Sequence, residues 1–80
     1  MQGLNIIRKQ LKEYRLNKNM TQSKVADTIG VKDSTISNYE MGNSKTSLET
    51  IMKLCDIYEV KPIALFNTAF WREYGSANIN

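Results

Sequence analysis

The chain contains no histidine, one cysteine and one proline among its 80 residues. Without imidazole and with a single thiol it is missing the usual metal ligands and bases, and one cysteine makes neither an internal disulfide nor a zinc site. No acid–base pair, nucleophile with its base or metal cluster can be assembled from what remains, so neither catalysis nor a cofactor is expected. No stretch approaches the ~20 apolar residues of a membrane span, and the N-terminus lacks the apolar core of a signal peptide. A cytoplasmic location with no membrane partner is the expectation. Internal repeats, low-complexity stretches and a linker to a second domain are also missing.

What is present fits one small domain. A hydrophobic content of 41% over 80 residues lies near the lower limit for a self-sufficient core, so pairing with a second copy would help. The net charge is only +3, but it is unevenly spread. Residues 1–45 carry eight Lys or Arg against four Asp or Glu, which gives +4, while residues 46–80 carry three against four, which gives −1. Attraction for a polyanion therefore belongs to the N-terminal half. Taken alone, this asymmetry is equally well explained by a solvated lysine-rich surface.

The run Thr21 to Gly42, TQSKVADTIGVKDSTISNYEMG, decides between the two. Thr21 suits an N-cap, and Val25, Ala26 and Ile29 then recur on one helical face. Gly30 suits a left-handed C-cap, and Val31 supplies the apolar residue that packs back after it. A second helix from about Asp33 to Glu40 turns Ile36 inward, with Tyr39 three residues on. Asp33, Ser34, Ser37 and Asn38 share its opposite face. Two short helices with a tight turn, apolar inside and hydrogen-bonding outside, make a helix-turn-helix that can lay its second helix in a DNA major groove.

These residues resemble the Cro/CI-type helix-turn-helix repressors, the XRE family. The resemblance extends to Ile7, Leu11 and Arg15 of a first helix, to Leu48 and Ile51 of a fourth, and to the run YEVKPIALF from Tyr58 to Phe66. It implies an all-α, compact five-helix, lambda-repressor-like DNA-binding domain spanning 1–74. The helices are expected at about 4–17, 21–29, 33–40, 47–58 and 62–73, with a flexible tail at 75–80. Periodicity and punctuation agree. Leu4, Ile7, Leu11 and Tyr14 form an apolar stripe flanked by Arg8, Lys9 and Lys12, Ser47 suits an N-cap, and Pro62 suits a first helical position. The resemblance also implies that Arg15 pairs with Glu40, that Leu48 lies at a core position, and that Cys55 packs as a small buried residue with an inert thiol.

Contacts to double-stranded DNA divide into those that fix position and those that read bases. For the phosphate backbone the candidates are Gln22, at the start of the leading helix, and Asn43, Lys45 and Thr46 in the loop after the second helix. The resemblance implies backbone contacts at both places. For base edges the candidates are Lys32, Asp33, Ser34, Ser37 and Asn38. Asn38 can bond adenine N6 and N7 together, Lys32 can donate to guanine, and the serines serve as donors or acceptors. Lys32 stands where the family often has a Ser or Thr cap, and it reads either as a weaker cap or as a phosphate contact. Asp33 either accepts from cytosine N4 or complements the helix dipole. Asn19 replaces a common turn glycine at little cost, whereas Glu59 replaces one with some strain.

Two recognition helices one DNA turn apart would read a palindromic operator, so a homodimer is expected. Phe66, Phe70, Trp71 and Tyr74 are the candidate dimer interface, because they offer more aromatic area than so small a core absorbs. The rival reading is a protein-interaction module, an antitoxin or adaptor, whose aromatic end binds a different protein.

Overall fold

The computed structural model describes residues 2–67, with side chains from residue 5 onward. Within them lie α1 Gln2–Asn17, α2 Gln22–Ile29, α3 Asp33–Met41 and α4 Leu48–Tyr58, and no strand. A fifth helix, α5, opens at Pro62 and is helical through 67, the last residue described. The expected tail at 75–80 lies outside the described residues.

Local chemistry sets the helix ends. Thr21 caps α2, its hydroxyl oxygen accepting from the Lys24 amide at 3.0 Å. Gly30 closes α2 in a left-handed conformation, φ 78°, with its amide and that of Val31 both donating to the Ala26 carbonyl. Ser47 caps α4 through the Thr50 amide at 3.1 Å. At the ends of α1 and α4 the chain turns through Asn19 and Glu59, with φ of 56° and 58°. A non-glycine side chain in that region costs of order 1 kcal/mol or more, and a capping network must offset it. Lys18 Nζ donates to Glu59 Oε1 at 2.8 Å, tying the two left-handed turns together.

Ile7, Leu11, Val25, Ala26, Ile36, Ile51, Leu54, Cys55, Tyr58 and Leu65 make one core to which all five helices contribute. On α1 the buried positions are 7, 11 and 15, a spacing of four that keeps them on one face. Leu48 departs from the expected core position: it is 60% exposed. As the first residue of α4 it sits at the flank of the stripe formed by Ile51, Leu54, Cys55 and Tyr58. It faces an open groove with Met52, Val60 and Pro62. On α5, Leu65 is fully buried while Ile63 and Phe66 remain exposed. No helix among the described residues is long and apolar enough to cross a membrane.

Candidate nucleic-acid interface

Helices α2 and α3 pack closely through Val25, Ala26 and Ile36, so the turn of Gly30, Val31 and Lys32 fixes one helix relative to the other. Helix α3 is divided by face. Ile36 is 1% exposed, whereas Lys32, Asp33, Ser34 and Asn38 all lie at the surface. Ser37 is half-buried at the margin, and its hydroxyl lies 3.5 Å from the Met41 sulfur, a weak acceptor that a better partner displaces. Four of the five base-contact candidates thus share an exposed surface around the start and middle of one helix. Lys32 takes the N-cap backbone conformation of α3 without a side-chain capping bond, and its carbonyl accepts from the Thr35 amide at 2.9 Å. Its ammonium, a donor with no acceptor, cannot cap the helix amides and is left at the surface. Asp33 occupies the first turn, where a carboxylate complements the positive end of the dipole.

Behind this surface lies a charged network. Arg15 Nε donates to Glu40 Oε2 at 2.7 Å and Arg15 Nη2 to Glu40 Oε1 at 3.0 Å, a two-point grip between α1 and the last turn of α3. A third donor, Nη1, reaches the Met20 carbonyl at 2.8 Å. Both charged side chains are nearly buried. The hydrogen bond to Glu40 raises the Arg15 pKa above its ordinary value against the opposing effect of burial, so the guanidinium stays charged. Tyr58, beneath the pair, is pushed up to about 12, chiefly by burial and then by the Glu40 charge. Burial also raises the Cys55 thiol, which has no thiolate character to offer.

Gln22 joins this network, a link that spacing could not disclose because its partner lies eighteen residues away. Its Nε2 donates to Glu40 Oε1 at 3.0 Å. One amide proton is therefore held internally, which fixes the side chain at the start of α2. The Gln22 and Ser23 backbone amides there have no acceptor within the helix, as for any first turn. On the other side of α3, Gly42 ends the helix at φ 81° and the Asn43 amide closes back on the Asn38 carbonyl at 2.9 Å. Asn43 and Lys45 leave this cap with exposed side chains, while Thr46 is half-buried and borders a small pocket with Ile36 and Tyr58.

The phosphate candidates therefore bracket the exposed face of α3, Gln22 before it and Asn43 and Lys45 after it. Of the aromatic candidates for pairing, Phe66 is 39% exposed, and Phe70, Trp71 and Tyr74 lie outside the described residues. Among the described residues no group of His, Cys, Asp or Glu is placed to hold a metal ion.

A helix-turn-helix family model matches residues 11–65, from Leu11 of α1 to Leu65 of α5. The chain is 39% identical over 54 residues to the cryptic phage CTXphi transcriptional repressor RstR of Vibrio cholerae, covering 68% of this chain and 48% of that protein. It is 40% identical over 50 residues to the antitoxin HipB of Escherichia coli, covering 62% of this chain and 53% of that protein. The chain thus spans about half the length of these curated relatives. No solved structure matches it. With the fold, the divided face of α3 and the match over residues 11–65 in agreement, the chain belongs to the helix-turn-helix family of XRE type, a family of DNA-binding regulators.

Proposed function

We propose that the protein is a sequence-specific transcriptional repressor that occupies a palindromic operator as a homodimer in the cytoplasm, and that it is not an enzyme. The observation that carries this reading is the division of α3. It buries Ile36 and leaves Lys32, Asp33, Ser34 and Asn38 outside, while the Arg15–Glu40–Gln22 network locks the helix onto α1 and α2. A recognition helix must present donors and acceptors without moving, because a bidentate base contact tolerates little misplacement. Asn38 is assigned to adenine, Lys32 to guanine or phosphate, and Ser34 and Ser37 to whichever edge faces them. Asp33 accepts from cytosine or complements the dipole. Gln22, Asn43, Lys45 and Thr46 take the phosphate backbone. Phe66, with Phe70, Trp71 and Tyr74 beyond it in sequence, forms the dimer surface.

Selection of duplexes from a random pool at near-physiological salt tests this. Enrichment of an inverted repeat with half-sites about one helical turn apart is expected. Absence of any enriched sequence would leave only backbone attraction and would contradict the repressor reading.

A second reading, an antitoxin or adaptor that binds another protein through its aromatic C-terminal surface, is favoured by the similarity to a relative named as an antitoxin. The two separate by mutation. A partner-binding module survives Asn38→Ala and fails on Trp71→Ala, whereas an operator-binding repressor loses site selectivity with Asn38→Ala.

A further inference from the structure

Arg8 stands two turns before Arg15 on α1, on the same face, and it also reaches the end of α3. Its guanidinium lies against Gly42, the left-handed residue that terminates that helix. A Cβ at position 42 would sit 2.8 Å from Arg8 Nη1, 3.2 Å from Cζ and 3.5 Å from Nε. The first two are closer than ordinary van der Waals contact, so the guanidinium borders the space a side chain at 42 would fill and has to shift to admit one. Arg8 Nη1 donates to Asn5 Oδ1 one turn back on α1. Its Nε is buried and finds no hydrogen-bond acceptor among the described residues. Arg8 and Thr46 also line the same small internal cavity. The guanidinium therefore lies beside Gly42, where the loop 42–46 begins.

Helix α3 has no basic residue in its own last turn. The negative end of its dipole, where the last carbonyls lack intrahelical donors, is met by a cation supplied from α1. We propose that Arg8 is a positioning residue for the loop 42–46: by filling the space beside Gly42 at the carbonyl end of α3, it holds the exit of the recognition helix. It thereby places Asn43 and Lys45. The loop's part in DNA contact rests on the reading given above, but the Arg8–Gly42 relation does not.

The chain supplies its own control. Gly30 has nearly the same backbone conformation as Gly42, φ 78° against 81°, yet a Cβ there would meet nothing within 4 Å. Gly30→Ala and Gly42→Ala thus carry the same backbone strain and differ in the neighbour. Thermal unfolding of both variants, in the native chain and in an Arg8→Ala background, reads the difference. Gly42→Ala is expected to lower the midpoint by several degrees more than Gly30→Ala when Arg8 is present, and by the same amount when Arg8 is alanine. Equal drops in both backgrounds would show that Arg8 simply swings aside and would overturn the proposal.

Binding to mixed-sequence duplex DNA supplies the second readout. Arg8→Ala is expected to weaken binding several-fold in the native chain, and by less than half as much in a Lys45→Ala background, where the loop has already lost its cation. An equal loss in both backgrounds, with the slope of log K against log salt falling by about 0.9, would mean that Arg8 neutralises a phosphate itself, and would overturn the positioning role. Should the native chain bind no duplex, the DNA reading fails, while the thermal comparison still decides the relation between Arg8 and Gly42.

Discussion

Arg15 and Glu40, twenty-five residues apart, meet nearly buried through N–H···O bonds of 2.7 and 3.0 Å, so the first helix holds the last turn of the third. The pair's value lies in what its loss would leave behind. Replacing one partner strands a charge in a site closed to water, which costs about 3–5 kcal/mol, whereas replacing both with apolar residues is far milder. Arg15→Met and Glu40→Leu are each expected to destabilise by that amount in urea unfolding, and the double variant by much less than their sum. Additive losses would contradict a direct coupling.

Tyr58 gives the fold a pH dependence at the alkaline end. Its pKa is raised by burial to about 12 in the native state, above the ordinary value of 10.0 for an unfolded chain. A raised pKa means that the folded state holds its proton more tightly, so the contribution is complete below pH 10 and is lost as pH rises toward 12. Each pH unit in that window removes at most about 1.4 kcal/mol. Unfolding measured at pH 9 and pH 11 is expected to show a steeper loss for the native chain than for Tyr58→Phe. Parallel losses would place the phenol in water.

Glu59 closes α4 at φ 58°, a conformation that suits glycine, and its exposed carboxylate is held by Lys18. That hydrogen bond keeps the carboxyl below its ordinary pKa. An exposed pair contributes little, and the backbone strain is relieved entirely by glycine. Glu59→Gly is therefore expected to raise the thermal midpoint by a few degrees. A fall would mean that the tie between the two left-handed turns outweighs their strain.

Salt dependence separates the loop from the recognition helix. Lys45→Ala is expected to weaken binding uniformly across DNA sequences and to reduce the slope of log K against log salt by about 0.9, the signature of one lost phosphate contact. Ser34→Ala should leave the slope unchanged. An unaltered slope for Lys45→Ala would remove Lys45 from the backbone contacts.

Much of this architecture is legible in the linear chain because it is written locally. Thr21, Gly30 and Ser47 act on neighbours within four or five residues, and Ile36 against Asn38 is a matter of helical phase. What escapes periodicity and punctuation is what depends on a second helix; of that, the resemblance implies the Arg15–Glu40 pair. The resemblance puts Leu48 at a core position, but at the first residue of α4 it lies beside the buried stripe, and among the described residues its side chain remains exposed. Gln22 reads as a surface amide until Glu40 is brought to it from α3. Arg8 reads as one basic residue among several flanking an apolar stripe, and only the packing of α1 on α3 places its guanidinium at Gly42. The chemistry of the candidate site is visible in residue types and the resemblance implies the Arg15–Glu40 pair, whereas the Gln22 link and the placing of Arg8 are not legible.

In the proposed binding mode Asn38 reads a base from the exposed face of α3. The most direct measurement is a pair of selections from one random duplex pool, with the native protein and with Asn38→Ala, at near-physiological salt. The native chain should enrich an inverted repeat. The variant should lose preference at one position in each half-site, at a cost of about 1–3 kcal/mol per contact, with neighbouring positions retained. An identical enriched sequence from both proteins would contradict the assignment of α3 as the reading helix.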